Sequence, residues 1–324
     1  MDKEFLTYNQ QMRSLRGKGI ECSGSGDKTL LCRLGYFNLV NGYKTPFVAA
    51  EDSGSGKKSY YPKTTLQNIK RVYDFDESLR MLLFPCLTKV ENEIRTFAAY
   101  KFDEVNSVEG LTWFDVKAYD PNQKPSEIVN VISKAYAEVN YSKKLNYVHF
   151  YLDNHDSIPT WIFAKVIKFE TLINFIKKCK TDVKDALCNL YDIKDKNGVP
   201  SHNLLINMLF WIKHIRNVCA HNGRIYTQIK EDSRLSEKYI HGLPRSYTKD
   251  RDQRIIDLLA YLKYFLDPES FCSLIDRFSE LLMALQNDIN PDAFNKVRIS
   301  LGVKNIADLQ LFKKEENRKN YNSF

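Results

Sequence analysis

The chain has 324 residues, 43% of them hydrophobic and 13% aromatic, with only 13 glycines and 10 prolines. This composition is typical of a folded protein and excludes an intrinsically disordered one. The net charge of +8 favours an anionic partner without proving one. A charged start at residues 1–4, and apolar runs far shorter than the roughly 20 residues that cross a bilayer, predict a soluble, cytoplasmic protein without membrane association.

The seven cysteines are odd in number, scattered along the chain, and form no C-x-x-C pair. This pattern is typical of reduced thiols and not of a disulfide framework or a zinc site. Cys219 and His221 form a lone C-x-H motif that lacks two further ligands at workable spacing. We therefore expect no bound metal and no other cofactor.

Residues 1–62 predict a small N-terminal module of helices and turns. Thr7 and Gln10 have the spacing of a capping box, which predicts a helix that ends near Lys18. A second short helix is predicted over residues 30–36. Glycine-serine stretches at residues 23–26 and 52–58 are predicted to be loops, and residues 36–47 an aromatic turn region.

Residues 63–324 predict a larger helical domain. Apolar residues at three- and four-residue spacing indicate a helix over residues 65–102 that Pro85 kinks or breaks. Further helices are predicted over residues 126–141, 160–178, 184–191, 201–221, 249–266, 268–287, 291–301 and 305–313. Residues 225–244 are polar and predicted to be irregular. Because alternating strand patterns are scarce, we expect an all-α helical bundle.

The predicted helix 201–221 has two contrasting faces. At about 100° per residue, its apolar side chains fall in one arc that is expected to pack inward. The opposite, polar side carries Arg216, Asn217 and His221. Lys213 lies beside them, and Arg224 joins them if the helix continues through the glycine before it. The apolar arc comprises Met208, Trp211, Ile212, Ile215, Val218 and Cys219.

The polar residues of this helix suit RNA cleavage without a metal ion. His221 can give or take a proton at neutral pH, as removal of a 2′-hydroxyl proton requires. Arg216 stays charged and offers several donors to a phosphate. Asn217, four residues before His221, can orient the imidazole. Since one histidine cannot easily serve both proton transfers, we expect a homodimer in which two such helices meet at one phosphate.

The Arg-x4-His spacing resembles the motif of the HEPN superfamily of ribonucleases. More narrowly, the chain resembles the Abi-like family, the AbiD/AbiF abortive-infection proteins of bacteria. The similar segments follow the family's order and are residues 6–11, Arg33-Leu34-Gly35-Tyr36-Phe37, Asn41-Gly42-Tyr43, residues 73–80, Val90-Glu91-Asn92-Glu93-Ile94-Arg95, Ile158-Pro159-Thr160-Trp161, Phe169-Glu170-Thr171-Leu172 and residues 216–221.

This resemblance implies a HEPN-like helical core and a toxin that cleaves RNA in phage defence by growth arrest. It also implies a small non-coding RNA that restrains or guides the toxin, as in a toxin–antitoxin pair. The chain departs from the family at Asn222, where a second histidine is common, and Asn222 cannot do proton chemistry. Some HEPN toxins are modified on a tyrosine at the position of Gly223, whereas the nearest tyrosine here is Tyr226.

Two acid–base pairs on the central predicted helix have i,i+4 spacing. Glu91 and Arg95 form either a structural salt bridge or a support for the active site. Asp76 and Arg80 form a second pair, for which a structural role is favoured. Carboxylates two residues apart, such as Glu91 and Glu93, point away from each other on a helix, which disfavours a nuclease with two metal-binding carboxylates.

Three segments interleave basic and aromatic residues, as surfaces for single-stranded RNA often do. Each is also compatible with an ordinary solvated loop. Their basic members, expected to contact RNA together with Lys213 and Arg224, are Lys57, Lys58, Lys143, Lys144 and Arg245.

Three functions therefore stay open. The first is a metal-independent endoribonuclease toxin. The second is a non-catalytic RNA-binding protein that uses the same basic face, and the third is a helical scaffold that does neither.

Overall fold

The computed structural model describes residues 5–54, 56, 58–155, 158–195, 197–231 and 252–313. The fold is all-α, as predicted, with one short antiparallel ribbon of β1 (Val48–Glu51) and β2 (Lys58–Tyr60). The helices are α1 (Tyr8–Gly17), α2 (Gly24–Leu34), α3 (Leu66–Asn106), α4 (Pro125–Tyr141), α5 (Asn146–Asn154), α6 (Thr160–Val166), α7 (Phe169–Lys178), α8 (Thr181–Leu190), α9 (His202–Ala220), α10 (Ile255–Phe265), α11 (Pro268–Asp288) and α12 (Pro291–Ser300). A π-helical turn spans Phe37–Asn41, and 3₁₀ turns span Thr45–Phe47, Ser107–Glu109, Val116–Ala118, Ser142–Lys144 and Ile306–Lys313.

The N-terminal helices follow the sequence prediction only in part. The capping box of Thr7 and Gln10 starts α1 as predicted. The prediction of a loop at residues 23–26 is wrong, because α2 begins at Gly24. Asp27 explains the early start: its carboxylate accepts a hydrogen bond from the Ser23 N–H at 2.8 Å and one from the Gln67 side chain at 2.7 Å. A contact with a residue 40 positions away thus outweighs the low helix propensity of the two glycines.

Helix α3 is the central element of the fold. It spans 41 residues without a break, and helices α6, α8, α9 and α11 pack against it. Of the predicted kink or break at Pro85, the break does not occur, and the kink stays a prediction. A proline lacks the N–H that would bind the carbonyl four residues earlier, here that of Met81. Met81 is 72% exposed, so water can reach the helix surface at this residue and form a hydrogen bond with its carbonyl.

The predicted helix over residues 160–178 is wrong in one respect, since it divides into α6 and α7 at Ile167 and Lys168. Arg95 of α3 causes α6 to end there, because its Nη1 donates to the carbonyls of Ala164 and Ile167, the latter at 2.7 Å. Glu138 then accepts a hydrogen bond from the Lys168 N–H at 2.7 Å and so caps α7.

The other helices begin and end close to their predicted positions, with three exceptions. Helix α5 was not predicted, and residues 305–313 form 3₁₀ turns rather than an α-helix. Helix α10 begins at Ile255, and the part of its predicted range before residue 252 lies outside the described residues, as do residues 232–244 of the predicted irregular region.

The N-terminal segment packs on the helical part of the chain through a shared core. Phe47 is buried, the turn that contains it contacts α12, and the Lys296 ammonium donates to the Val48 carbonyl. The division into residues 1–62 and 63–324 stays a prediction. Of the helices within the described ranges, none combines the length and the apolar character needed to cross a membrane.

Candidate functional site at the end of helix α9

Helix α9 buries the apolar side that its sequence periodicity predicts. The indole of Trp211 is 1% exposed and donates a hydrogen bond to the Arg254 carbonyl at 3.2 Å. Val218 differs from the rest of the arc because it is only half-buried. The fully buried members are Met208, Trp211, Ile212, Ile215 and Cys219. This packing fixes the rotation of α9 and turns its polar side toward α3 and the solvent.

Arg216 projects from this polar side onto a carboxylate of the central helix. Its Nε lies 2.8 Å from Glu91 Oε2, and its side chain keeps 31% exposure while that of Glu91 keeps 6%. Within the part of the chain that the structure describes, neither Nε nor Oε2 has a hydrogen-bond partner, so the contact is electrostatic rather than directional. Glu91 therefore holds the inner edge of the guanidinium, and the outer edge stays open to solvent.

Glu91 also binds Arg95, one turn further along α3. Its Oε1 accepts from Arg95 Nη2 at 2.5 Å and from Nε at 3.1 Å. The carboxylate thus lies between two guanidinium groups, and the cluster Glu91–Arg95–Arg216 has a net charge of +1. Of the two roles left open by the sequence, Glu91 forms the salt bridge with Arg95. It also contacts Arg216, and its support of an active site stays a prediction.

Asn217 and His221 are not joined as the sequence suggested. The Asn217 side-chain oxygen accepts a hydrogen bond from Arg216 Nη1 at 3.0 Å. His221 binds Asn217 through the backbone only, with its N–H donating to the Asn217 carbonyl at 3.1 Å. The imidazole is exposed and, among the described residues, makes no hydrogen bond. It is available to a ligand but has no side chain that orients it.

The helix ends just at His221, which is its C-terminal capping residue. Asn222 adopts a left-handed conformation, with φ 52°. Its N–H binds the Cys219 carbonyl at 3.1 Å, and the Gly223 N–H binds the Val218 carbonyl at 2.8 Å. These two bonds define a Schellman cap, in which the asparagine serves the backbone. A Cβ on Gly223 would lie 2.8 Å from Val218 Cγ1, so the site requires glycine.

Because the helix ends before Gly223, Arg224 does not join the polar face of α9. Its guanidinium donates to the Gly42 carbonyl and lies 5.8 Å from the centre of the Tyr226 ring. Arg224 thus binds the N-terminal segment of the same chain.

A buried ion pair of α3 holds the segment that follows His221. Arg80 Nη1 lies 2.5 Å from Asp76 Oδ2 and donates to the Gly223 carbonyl at 3.2 Å. Asp76 Oδ1 accepts from the Tyr226 N–H at 2.8 Å and from the Ile225 N–H at 3.1 Å. The sequence favours a structural role for this pair, and the fold shows that the pair stabilises the segment that follows α9.

Tyr43 extends this arrangement into the N-terminal segment. Its hydroxyl donates to Asp76 at 2.8 Å, and its ring stacks on Tyr226 at 5.9 Å between centres. Burial raises the pKa of both tyrosines, so each stays protonated. Burial also raises the pKa of Asp76, against the opposing effects of the Tyr226 N–H, the Tyr43 hydroxyl and Arg80.

The predicted RNA-contacting lysines differ in their surroundings. Lys213 lies 3.1 Å from Glu170, and Lys58 lies 3.4 Å from Glu51. Lys143 and Lys144 are exposed at the end of α4. Lys57 and Arg245 lie outside the described residues.

The C-x-H motif does not bring two ligands together. Cys219 is buried, and desolvation raises the pKa of its thiol to about 12, whereas His221 is exposed. Within the described ranges, no three His, Cys, Asp or Glu residues are grouped so as to hold a metal ion.

The fold and site define an all-α protein whose central helix α3 contacts a half-buried arginine near the end of α9, with an exposed histidine five residues later. The model of the Abi-like protein family matches residues 29–227, a stretch that begins within α2 and ends at Thr227. The chain belongs to the Abi-like family, and this membership suggests a role in abortive infection, a form of phage defence. No curated protein and no solved structure matches the chain.

Proposed function

We propose that this Abi-like protein is a metal-independent endoribonuclease toxin of the HEPN type, which arrests growth by cutting RNA. The observation that carries the proposal is the solvent-exposed imidazole of His221 five residues after an arginine whose Nε lies 2.8 Å from buried Glu91. A proton-transfer group and a fixed positive charge on one surface are what cleavage through the 2′-hydroxyl needs.

In this mechanism His221 takes the proton from the 2′-hydroxyl as that oxygen attacks the adjacent phosphorus. The bond to the 5′-oxygen breaks, and a 2′,3′-cyclic phosphate and a 5′-hydroxyl end form. Arg216 binds the non-bridging oxygens through the outer edge of its guanidinium, where Nη2 has no partner within the described part of the chain. Asn217 holds Nη1 and so helps to orient the guanidinium.

The 5′-oxygen needs a proton as it leaves, and a second His221 is the simplest source. We infer that two α9 ends meet in a homodimer, so that each His221 serves one proton transfer. The exposure of His221 and Ala220 leaves this end of the helix free for such a contact. A small non-coding RNA that binds the basic surface would cover the same residues and restrain the toxin.

A second candidate function is RNA binding without cleavage. It is favoured by one observation, namely that the Asn217 amide does not hold the imidazole of His221. An imidazole without an orienting partner is less well positioned to act as a general base, but it can still donate to a phosphate. In this case Arg216 and His221 would bind RNA phosphates as part of the basic face.

The test is incubation of the purified protein with end-labelled single-stranded RNA in excess EDTA. We expect the wild type to cut and His221→Ala and Arg216→Ala to leave the RNA intact. Loss of wild-type cutting in EDTA, or full activity of His221→Ala, would contradict the proposal. Salt-sensitive RNA binding by both wild type and His221→Ala, with no cutting by either, would favour the second function.

A further inference from the structure

A groove runs between helices α3 and α6, on the side of α3 that carries Arg95. Its volume is about 790 Å³. Ala99 and Ala164 lie in its lining and are buried, so at these two positions only a methyl group borders the space between the helices. Trp161 and Tyr100 stand at its edge with exposed rings, 58% and 60% exposed respectively. An open groove with small residues inside and aromatic rings at the edge accommodates a flat ring.

Arg95 links the groove to the candidate site through a buried carboxylate. Arg95 lines the groove, and it shares the Glu91 carboxylate with Arg216. Ala99 follows Glu91 by eight residues on the same helix, a distance of about 12 Å along the helix axis. A single strand whose phosphate is bound at Arg216 would have to span about this distance to place a nucleotide in the groove.

The polar groups of the groove differ in charge. Lys165 of α6 is exposed, with its ammonium 5.0 Å from the centre of the Tyr147 ring. Asp103 of α3 accepts a hydrogen bond from the Thr160 hydroxyl at 2.5 Å through Oδ1, which leaves Oδ2 without a partner among the described residues. Burial raises the pKa of Asp103. The groove thus offers a cation, an aromatic ring and a free acceptor.

We propose that this groove binds a base of single-stranded RNA next to the scissile phosphate, with the base stacked on Trp161 and its amino group donating to Asp103. Lys165 then binds the phosphate of the same nucleotide. This inference rests on the proposed function, since it names a subsite for the same substrate. It also predicts sequence preference: adenine, cytosine and guanine carry an exocyclic amino group, and uracil does not.

The experiment uses Trp161 as its own reporter. Trp113 and Trp211 are buried at 0% and 1% exposure, so a ligand in the groove changes the emission of Trp161 above all. His221→Ala protein is titrated with oligo(A) and oligo(U) of equal length, and fluorescein-labelled oligonucleotides give the affinities in parallel. The His221→Ala background keeps the RNA intact during the measurement.

We expect oligo(A) to quench Trp161 and to bind more tightly than oligo(U). In the same background, Trp161→Ala should weaken oligo(A) binding about tenfold, the effect of losing one stacked base. Trp161→Phe should keep most of the affinity. Phe37→Ala removes an exposed ring that is distant from Trp161 in the sequence and should leave the affinity for oligo(A) unchanged. Asp103→Asn should reduce the difference in affinity between oligo(A) and oligo(U), because an amide can also donate a hydrogen bond to the carbonyls of uracil.

Absence of quenching, or equal affinity in Trp161→Ala, would overturn the groove proposal even if the wild type cuts RNA. A Trp161 emission that changes with protein concentration in the absence of RNA would also overturn the groove proposal, because it would indicate that a second copy of the chain occupies the groove. Quenching and base preference without any cutting by the wild type would support the groove and contradict the nuclease instead.

Discussion

Glu91 Oε2 of the central helix lies 2.8 Å from Arg216 Nε, across the contact between α3 and α9. The same carboxylate binds Arg95, whose Nη1 ends helix α6 by donating to the Ala164 and Ile167 carbonyls. One buried acid thus connects the arginine of the proposed site with the helix that borders the groove. The geometry of Arg216 consequently depends on residues far away in the sequence.

Glu91→Gln should reduce RNA cleavage about tenfold, because the guanidinium loses the charged partner that positions its outer edge for the phosphate. It should also lower the free energy of unfolding by about 1–3 kcal/mol, since two guanidinium groups lose their common partner. Single-turnover cleavage and urea unfolding measure the two effects. Glu77→Gln removes an exposed carboxylate from the same helix and is the matched control. Unchanged cleavage in Glu91→Gln would show that Arg216 does not need this carboxylate.

Gly223→Ala should lower both stability and cleavage. Its Cβ would lie 2.8 Å from Val218 Cγ1 and 3.2 Å from the Val218 carbonyl oxygen, so the cap after His221 must shift. We expect a loss of about 1–2 kcal/mol in the free energy of unfolding and a displaced imidazole. Gly17→Ala is the control, because nothing lies within 4 Å of the added atom and the residue is helical. If both alanine variants behave alike in unfolding and cleavage, the cap has no special role.

Cys219 should resist alkylation in the native protein. Burial raises the pKa of this thiol to about 12, so the reactive thiolate is scarce at pH 8. Cys32 is exposed and provides the internal comparison. Iodoacetamide treatment followed by peptide mass spectrometry should find Cys32 modified and Cys219 intact until the protein is unfolded. Equal labelling of the two residues in the native protein would mean that the apolar side of α9 is not packed.

Glu170→Gln should strengthen RNA binding by releasing Lys213. Hydrogen bonding to Lys213 lowers the pKa of Glu170, so the pair exists at neutral pH and is lost only as the pH falls through that lowered value. In the His221→Ala background, the variant should bind RNA more tightly and show a steeper dependence on salt, by about one phosphate contact. Glu269→Gln, which neutralises an exposed carboxylate of α11, controls for net charge. A salt dependence equal to that of the control would exclude Lys213 from RNA contact.

Much of the fold could be predicted because its signals are local. The three- and four-residue spacing of apolar side chains in α9 predicts its buried side, and the Thr7–Gln10 capping box predicts the start of α1. These features need only the geometry of a helix. The polar face of Arg216 and Asn217 follows from the same periodicity.

The remaining features depend on contacts between distant residues. Arg95 ends α6 through carbonyls 69 and 72 residues away, and no local pattern marks that break. Asp76 binds the Ile225 and Tyr226 N–H groups at separations of 149 and 150 residues. The left-handed turn at Asn222 did have a local signal, an Asn-Gly pair after the motif histidine, which is typical of a helix end.

The chemistry of the RNA ends that the protein produces in EDTA distinguishes the proposed mechanism from other routes of cleavage. Wild-type protein should leave 2′,3′-cyclic phosphate and 5′-hydroxyl ends, as mass spectrometry of a short RNA can detect, and His221→Ala should leave the RNA uncut. A substrate with 2′-deoxyribose at the cleaved position should resist. The same ends from His221→Ala, or 5′-phosphate and 3′-hydroxyl ends from the wild type, would contradict the proposed mechanism.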